Sequence, residues 1–432
     1  MSSLASLWLP FTENRYFKEN PKLLTQADGM YYETDTGQKI LDSCAGLWCV
    51  NAGHNQKKIV EAIQKQCAKL DYAPSFNLSH PLAFKMAQTL TDMAPTGFTH
   101  AFFANSGSEA VDTSLKIALQ YQQAIGEHDR TLLVGREKDY HGVGFGGISI
   151  GGLPNNQKHF PLLPNIAHLP HTHSLKHNAF SKGLPVIGAE LAQAVNTISD
   201  ERGKIAAVIV EPLAGSVGVY LPPEGYLAEL RRYCDEVGAL LIFDEVITAF
   251  GRVGDGFAAE RFNVTPDIIT LAKGLTNGAI PMGAVLVKQS IYDAIVSNKK
   301  DKGIEFFHGY TYSAHPLACA AALATIDVYK EQGLFERTKQ LETVWQEKLH
   351  QLKGLPFVQD IRNFGLVGAI ELSSRPGNVG KRAFDVFNEC FKRGVLVRIT
   401  ADTLAFSPPL IIEESHMDEM FNVITDALNV IN

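Results

Sequence analysis

The feature that most constrains the fold is a series of short, wholly apolar segments separated by stretches with helical periodicity. The apolar segments are residues 101–104, 131–135, 206–210, 239–243 and 268–271. Helices are predicted between them at residues 109–124 and near 224–237, where apolar residues recur at helical spacing. Strands that are apolar on both faces indicate a mostly parallel sheet covered by helices on each side. The chain is therefore predicted to have an α/β architecture.

The chain is long enough for more than one domain. Its 432 residues exceed the size at which a single core usually stops growing. Beyond residue 330 the pattern changes to helices near 334–352 and 381–393 that alternate with strands at 368–372 and 395–399. We predict a large domain over residues 61–330. A smaller α+β domain is predicted from residues 331–432, completed by an N-terminal segment, residues 1–60.

Composition excludes several classes of partner. The formal net charge is −7 and no basic run stands out, which argues against a nucleic-acid partner. No apolar run approaches the length of a membrane span, and the N-terminus lacks the pattern of a secretory signal. The six cysteines are scattered without a C-x-x-C pair. That pattern suits reduced thiols, and we expect a cytoplasmic protein with no membrane partner.

Asp244 and Glu245 directly follow the apolar strand at 239–243. Ligands of open parallel sheets bind beyond the carboxyl ends of the strands, so an acid placed there is a candidate site residue. An acid that stays ionised beside a pyridinium keeps the ring nitrogen protonated. The alternative for such an acidic pair is a helix cap or a salt bridge within a loop.

Lys273 follows the strand at 268–271. A lysine at the end of a buried strand is costly unless its charge is used or lost, and desolvation makes its amine nucleophilic toward an aldehyde. The alternative is a lysine whose stem is buried while its charge reaches water. The acid at the end of a neighbouring strand favours the functional interpretation, because both groups would lie on one edge of one sheet.

The segment Ser106-Gly107-Ser108 follows a strand and opens a helix. Free amide groups at a helix start, together with two hydroxyls, form a phosphate-binding site. The alternative is an ordinary helix cap with Ser108 as the N-cap residue.

Two further patterns are not interpreted as sites. Residues 142–147 match G-x-G-x-x-G, but no helix is predicted after them, which argues against a dinucleotide site. A histidine-rich segment is interrupted by three prolines and carries no organised acid or cysteine, so we predict an irregular surface loop and no metal site. Its histidines are His159, His168, His171, His173 and His177.

Taken together, the motifs resemble one family. The chain is similar to the class III (omega) aminotransferases of pyridoxal phosphate (PLP) fold-type I, and most closely to the β-alanine–pyruvate and (S)-selective amine transaminase group. The resemblance runs from Leu9-Pro10-Phe11-Thr12 to Phe406-Ser407-Pro408-Pro409. The motifs between these ends are Asn105-Ser106-Gly107-Ser108-Glu109, Tyr140-His141-Gly142, Val210-Glu211-Pro212, Phe243-Asp244-Glu245-Val246, Ala272-Lys273 and His308-Gly309-Tyr310-Thr311-Tyr312.

The resemblance implies a role for each matching position around PLP. Lys273 would form the Schiff base, and Asp244 would hold the ring nitrogen. Gly107 and Ser108 would bind the phosphate, with Thr311 and the neighbouring Tyr310 reaching it from a second subunit of a homodimer. The remaining cofactor-binding positions are Tyr140 on one face of the ring, Val246 on the other, His141 in the tyrosine's motif, and Glu211 near the ring oxygen or a mobile arginine.

The resemblance also implies how substrates are bound. Trp48 would form a wall of the substrate pocket, and Arg398 would pair with a substrate carboxylate and swing away for amines that lack one. Ala405 stands where some β-alanine enzymes carry a glutamine, which leaves room for bulkier amines.

The implied reaction is a ping-pong transfer of an amino group from an amine or ω-amino acid, such as β-alanine or 1-phenylethylamine, to pyruvate. Other class III reactions stay open, among them transamination of γ-aminobutyrate or diamines, aminomutation, racemisation and decarboxylation. Pairing of dimers into a homotetramer also stays open. A PLP-binding regulator would need an added basic helix-turn-helix domain, for which the chain has no room before its first PLP-type segments.

Overall fold

The computed structural model describes residues 4–299 and 302–431. Its centre is a seven-stranded sheet in which six strands run parallel and one, the second from an edge, runs antiparallel to both neighbours. In spatial order the strands are β4 (Phe98–Ala104), β10 (Gly283–Lys288), β9 (Ile268–Leu271), β8 (Leu240–Asp244), β7 (Ile205–Val210), β5 (Leu132–Arg136) and β6 (Ile166–Leu169). The predicted α/β fold with a mostly parallel sheet is confirmed.

Sixteen helices lie outside this sheet in residues 4–299 and 302–431, and some of them, among them α5 (Gly107–Ala124) and α10 (Tyr226–Val237), cover its faces. In chain order they are α1 (Asn14–Glu19), α2 (Ala45–Trp48), α3 (Lys57–Lys69), α4 (Pro81–Met93), α5 (Gly107–Ala124), α6 (Phe145–Ile150), α7 (Pro154–Gln157), α8 (Leu175–Asn178), α9 (Ala194–Arg202), α10 (Tyr226–Val237), α11 (Ala258–Arg261), α12 (Gln289–Tyr292), α13 (Pro316–Glu331), α14 (Leu334–His350), α15 (Lys381–Lys392) and α16 (Glu414–Val430). Shorter 3₁₀ turns lie at Leu4–Ser6, Ala189–Gln193 and Lys273–Thr276, and a π turn at Asp293–Ser297.

The central strands are buried on both faces, as their uniform apolar sequences require. All residues of β7 and of β8 are buried. Ile209 and Ile242 belong to the apolar cluster that contains the inner face of α5. Their chain neighbours Val208 and Leu241 point the other way and belong to the cluster that contains α10 and α13. Because successive side chains of each strand point to opposite faces of the sheet, helices pack against both faces.

Two smaller sheets lie outside the central one. The first pairs N-terminal strands with a C-terminal strand, in the order β1 (Leu24–Asp28), β2 (Tyr31–Thr34), β3 (Lys39–Asp42) and β13 (Val395–Leu396). The second is antiparallel, in the order β11 (Val358–Phe364), β12 (Val367–Leu372), β15 (Thr403–Phe406) and β14 (Arg398–Thr400). The pairing of β3 with β13 supports a small domain built from both termini, and the boundaries at residues 60 and 330 stay a proposal.

Two local predictions differ from the structure. The single strand predicted at 395–399 is divided between two sheets, because β13 pairs with β3 while β14 pairs with β15. A helix does follow the glycine-rich residues 142–147, since α6 begins at Phe145. These glycines allow close packing: a Cβ at Gly144 or Gly146 would lie 2.2 or 2.6 Å from the Asp112 carboxylate of α5.

In residues 4–299 and 302–431, no helix has both the length and the apolar character that a membrane crossing demands. All six cysteines are free thiols.

Candidate active site

One cleft opens at the carboxyl edge of the parallel strands. The strands β4, β5, β7, β8 and β9 all end at this edge, and the loops that follow them supply its walls. The lining residues are Gly107, Ser108, Tyr140, His141, Gly142, Glu211, Ser216, Asp244, Val246, Ile247, Ala272 and Lys273. Eight of the twelve positions that the sequence assigned to the site therefore lie together in one cleft.

The start of α5 forms one end of the cleft. Ser106 is the N-cap residue, and its Oγ accepts a hydrogen bond from the Glu109 N–H at 3.2 Å. Ser106 therefore takes the capping position that the alternative had given to Ser108. The amides of Gly107 and Ser108 lie in the first helical turn, where no intrahelical acceptor is within reach. They can bind an anion, which the helix dipole also favours.

Asp244 is buried at the end of β8 and is held by three donors. Its Oδ2 lies 2.7 Å from His141 Nδ1, while its Oδ1 accepts from Thr270 Oγ1 at 2.9 Å and from the Val246 N–H at 3.2 Å. Burial disfavours a charged imidazole, but the hydrogen bond to Asp244 and the surrounding carboxylates outweigh it and raise the pKa of His141. Asp244 therefore favours the protonated form of His141, and His141 in turn holds the carboxylate in place.

A second buried carboxylate, that of Asp139, lies near the other ring nitrogen of His141. Asp139 Oδ2 lies 3.8 Å from His141 Nε2, and Asp139 Oδ1 accepts from Arg136 Nη2 at 2.9 Å. The charges therefore alternate along a row from Arg136 through Asp139 and His141 to Asp244. The row ends in the Asp244 carboxylate, which faces the cleft from a buried wall, where its interaction with a cation is strong.

Glu211 follows β7 and joins two loops of the cleft. Its Oε1 accepts from the Tyr140 N–H at 2.8 Å and its Oε2 from the Gly215 N–H at 3.1 Å. Burial, and then the proximity of Asp139, raise the pKa of Glu211 to about 8. Glu211 fixes the backbone of Tyr140 and of the 211–216 loop relative to the sheet.

Lys273 projects into the same cleft from the turn after β9. Burial lowers the pKa of its amine, and Cys49, Asp244 and Glu211 are near enough to oppose part of that shift. A buried amine with a lowered pKa is nucleophilic near neutral pH.

Glu245, the neighbour of Asp244, has a different role. Its side chain is fully buried and accepts from the Ala258 and Ala259 N–H groups and from Thr248 Oγ1, so it caps the start of α11. Burial raises its pKa to about 7. The structure thus divides the acidic pair: Asp244 faces the cleft, and Glu245 fits the alternative of a helix cap.

Trp48 and Arg398 lie behind and beside the cleft. Trp48 is buried in an apolar cluster with Ile247 and Ala405, and its indole N–H finds no acceptor among the described residues. Burial raises the pKa of Tyr140 and Arg398 opposes that shift, which means that the guanidinium lies near the tyrosine. Arg398 Nε is buried and likewise has no partner in the described chain. Ala405 lies directly opposite Arg398 in the β14–β15 pair.

Tyr310 and Thr311 do not line this cleft. Tyr310 Oη lies 3.2 Å from both Thr113 Oγ1 and the Glu109 carbonyl, so this side chain packs on α5 of its own chain. Thr311 is exposed, and its carbonyl accepts from Tyr72 Oη at 3.0 Å.

Several residues of the site escaped the sequence prediction. Ser216, Ile247, Ala272 and Gly142 line the cleft, and Thr270 holds Asp244. Ile247, Ala272 and Gly142 each adjoin a predicted residue, which is a usable signal. Thr270 is the only polar residue of β9, and that could have marked it. Ser216 gives no signal, because it reaches the cleft through the long turn after β7.

The histidine-rich segment is more ordered than predicted. His168 lies in the edge strand β6 and His177 in α8. His173 Nε2 lies 3.3 Å from Glu371, and these two residues with Asp360 form a group of metal-ligating side chains. Arg362 pairs with both carboxylates, at 2.5 Å from Asp360 and 2.7 Å from Glu371. The guanidinium therefore already occupies one oxygen of each carboxylate.

The donors and charges of the cleft fit PLP. An anion site lies at the start of α5, a fixed carboxylate lies on the sheet edge, and a buried amine projects between them. A Cβ at Gly107 would lie 3.0 Å from Val246 Cγ1, so a side chain there would press on Val246, another lining residue of the cleft. A flat cationic ring that carries an aldehyde and a phosphate satisfies all three groups.

Comparison with known proteins agrees with this geometry. The sequence model of the family Aminotransferase class-III matches residues 15–428. The chain is 55% identical to an omega-aminotransferase of Caulobacter vibrioides, with 100% of this chain and 99% of that one covered. It is 43% identical to a β-alanine–pyruvate aminotransferase of Pseudomonas aeruginosa, with 99% and 96% covered.

A solved structure agrees with the sequence relatives. The omega transaminase from Pseudomonas jessenii in complex with PMP superposes with a TM-score of 0.92 at 30% identity, covering 99% of this chain and 96% of that one. The chain belongs to the class III aminotransferases and is a PLP-dependent enzyme.

Proposed function

We propose that this aminotransferase moves the amino group of an ω-amino acid or a simple amine, such as β-alanine or 1-phenylethylamine, to pyruvate in two half-reactions. The observation that carries the proposal is the convergence of Lys273, Asp244 and the α5 start on one cleft with Arg398 beside it. Relatives named for omega-amino acid–pyruvate and putrescine–pyruvate transfer, 43% and 35% identical, support pyruvate as the acceptor.

Each wall of the cleft has a role in binding the cofactor. Gly107 and Ser108 bind its phosphate through their amides. Tyr140 stacks on one face of the ring and Val246 packs on the other, since both line the cleft. Asp244 binds the ring nitrogen through the oxygens that His141 and Thr270 orient.

The residues of this chain would transfer the substrate proton and stabilise the charge that develops in the transition state. PLP supplies an aldehyde that condenses with amines and a ring that withdraws electrons from the carbon next to the nitrogen. Lys273 Nζ would hold the cofactor covalently and, when free, would accept the proton from the substrate carbon that bears the nitrogen. Asp244 keeps the ring nitrogen protonated, so that negative charge developing in the transition state is stabilised.

Arg398 selects the acceptor. Its buried Nε has no partner among residues 4–299 and 302–431, and a guanidinium fork suits the carboxylate of a keto acid. Across the sheet, Ala405 adds no polar group that would compete for it, and its small volume leaves space for amines larger than β-alanine.

We expect Arg398→Leu to raise the KM for pyruvate about ten- to a hundredfold, because a charge-assisted bond to the carboxylate is lost. The rate of the half-reaction with 1-phenylethylamine should stay within about threefold, since this donor has no carboxylate. Single-turnover kinetics of each half-reaction measure the two effects separately. Arg393→Leu, at a half-exposed arginine paired with Glu389, is the matched control. An unchanged KM for pyruvate would remove Arg398 from the acceptor site.

The proposed assembly is a homodimer with shared sites, in which Thr311 binds the phosphate of the partner subunit. Exposed apolar side chains lie around Thr311. Monomeric soluble proteins rarely expose such a cluster of apolar side chains. They include Phe76, Leu78, Phe84, Phe307 and Tyr312, and Phe307 is 88% exposed. Thr311 itself is exposed in one chain and lies outside that chain's cleft, which suits a role in trans.

A mixing experiment tests the shared site. We expect Thr311→Ala and Lys273→Ala homodimers to be weakly active and inactive, respectively, at limiting PLP. A hybrid of the two contains one site with Lys273 from one chain and Thr311 from the other. Each hybrid dimer should therefore have up to about half of the activity of a wild-type dimer. If Thr311 acted within its own chain, mixing would restore nothing.

A donor panel tests the reaction itself. β-Alanine, γ-aminobutyrate, putrescine and 1-phenylethylamine are each supplied with pyruvate, and the alanine formed is measured. Stoichiometric alanine supports transamination. Conversion of the donor without pyruvate would indicate aminomutation, racemisation or decarboxylation instead.

We further propose a cytoplasmic location, which the six free thiols support.

A further inference from the structure

The backbone of Lys273 is in a conformation that lysine rarely adopts. Its φ is +45°, in the left-handed region, within the 3₁₀ turn Lys273–Thr276. A residue other than glycine persists there only where the surrounding structure holds it, and such residues concentrate at functional sites. The groups that hold this turn therefore set the direction in which the amine points.

One of these groups is the hydroxyl of Tyr329, on α13 outside the cleft. Tyr329 Oη donates a hydrogen bond to the Gly274 carbonyl, at 2.5 Å. The donor is rigid, because the ring is 1% exposed, stacks with Phe250 at 6.3 Å and packs against Phe335 at 5.7 Å. The peptide plane between Gly274 and Leu275, the second after Lys273, is thus fixed from one side.

The opposite side of the turn is fixed by the segment before α3. A Cβ at Gly274 would lie 2.7 Å from Asn51 Nδ2, so the turn packs directly on that amide. Asn277, which ends the turn, accepts from the Ala52 N–H and donates to the Gly53 carbonyl, both at 2.8 Å. Because Asn51 packs against the opposite side of the turn, the Tyr329 hydroxyl sets the orientation of the peptide between Gly274 and Leu275.

We propose that Tyr329 is a positioning residue for catalysis: its hydroxyl, through the Gly274 carbonyl, holds Lys273 in its strained conformation and aims the amine at the cofactor. The proposal rests on the role proposed above for Lys273. Without the bond the turn can relax toward an ordinary φ, which displaces Nζ at the end of a long side chain. A displacement of about 1 Å at a reacting group costs up to about a hundredfold in rate.

The test compares Tyr329→Phe with Thr325→Val. Both residues are buried on α13, and each change removes one hydroxyl, but the Thr325 hydroxyl bonds the Ala321 carbonyl of its own helix. We expect Tyr329→Phe to slow the capture of PLP by the apoprotein, followed by visible absorbance, about tenfold. The apparent pKa of the Lys273 amine, read from the pH dependence of capture, should rise toward that of an ordinary lysine as water reaches it. The kcat should fall about tenfold while the KM for pyruvate stays within about twofold.

Each outcome decides the proposal. A merely structural hydroxyl would lower the melting temperature of both variants and leave the capture rate and its pH profile equal, and that result would overturn it. If Tyr329→Phe did not fold, Phe335→Leu, which loosens the ring from a half-buried position, should shift the capture profile in the same direction, and no shift would refute the proposal. Failure of Lys273 as the PLP-binding residue is distinguishable, because the wild-type protein would then show no capture.

Discussion

Lys273→Ala is expected to lower kcat by at least about 10⁴-fold. The substitution removes both the nucleophile that binds the cofactor covalently and the base that moves the substrate proton, and each alone contributes orders of magnitude. Steady-state alanine formation measures the loss. In addition, wild-type protein treated with PLP and borohydride should carry the label on the peptide that contains Lys273, and the variant should carry none there.

Lys288→Ala is the matched control for this experiment. Lys288 also ends a strand, but β10 runs antiparallel, so this lysine lies at the opposite edge of the sheet, where it pairs with Asp267 at 2.9 Å. Its replacement should leave kcat and the label unchanged. Turnover by Lys273→Ala within about tenfold of the wild-type rate, with intact folding, would refute the assignment of Lys273.

The convergence of these residues could be predicted from the sequence because it follows from one rule of parallel sheets. Gly107, Tyr140, Glu211, Asp244 and Lys273 each follow a short apolar segment, and parallel strands bring their carboxyl ends to one edge. The strand after Lys273 is antiparallel and contributes no lining residue. Local pattern and topology were sufficient to bring Gly107, Asp244 and Lys273 to this edge, whereas Tyr140 and Glu211 were assigned from the family resemblance.

The remainder depends on contacts between distant segments, which no local pattern encodes. Ser216 reaches the cleft on a hairpin that Arg362, nearly 150 positions later, holds through the Gly218 and Val219 carbonyls. Trp48 lies in a segment where Ala45, Gly46 and Trp48 all have positive φ, held by Asp42, whose carboxylate binds the Cys44 and Gly46 amides and His54. Such geometry follows from tertiary packing that overrides local preference.

Asp244 offers a sharper test of mechanism than Lys273, since a change there alters charge and little else. The protein donors that hold its carboxylate are His141, Thr270 and the Val246 amide. Asparagine has nearly the same shape and retains one oxygen. It is neutral, however, and cannot hold a pyridinium proton by charge. The loss should therefore appear in the chemical step rather than in the fold.

We expect Asp244→Asn to lower kcat about 10²- to 10³-fold, the range found when a preorganised electrostatic group is removed. Lysine-bound PLP should still form, because Lys273 is intact. The neighbouring Glu245→Gln is the control. It removes an acceptor from the start of α11, so it should cost about 1–3 kcal/mol of unfolding free energy while kcat changes less than about threefold. Thermal melts and single-turnover rates on both variants distinguish the two carboxylates. If Asp244→Asn retained wild-type kcat, or if Glu245→Gln showed the larger loss of rate, the acid that serves the cofactor would have to be sought elsewhere in the cleft.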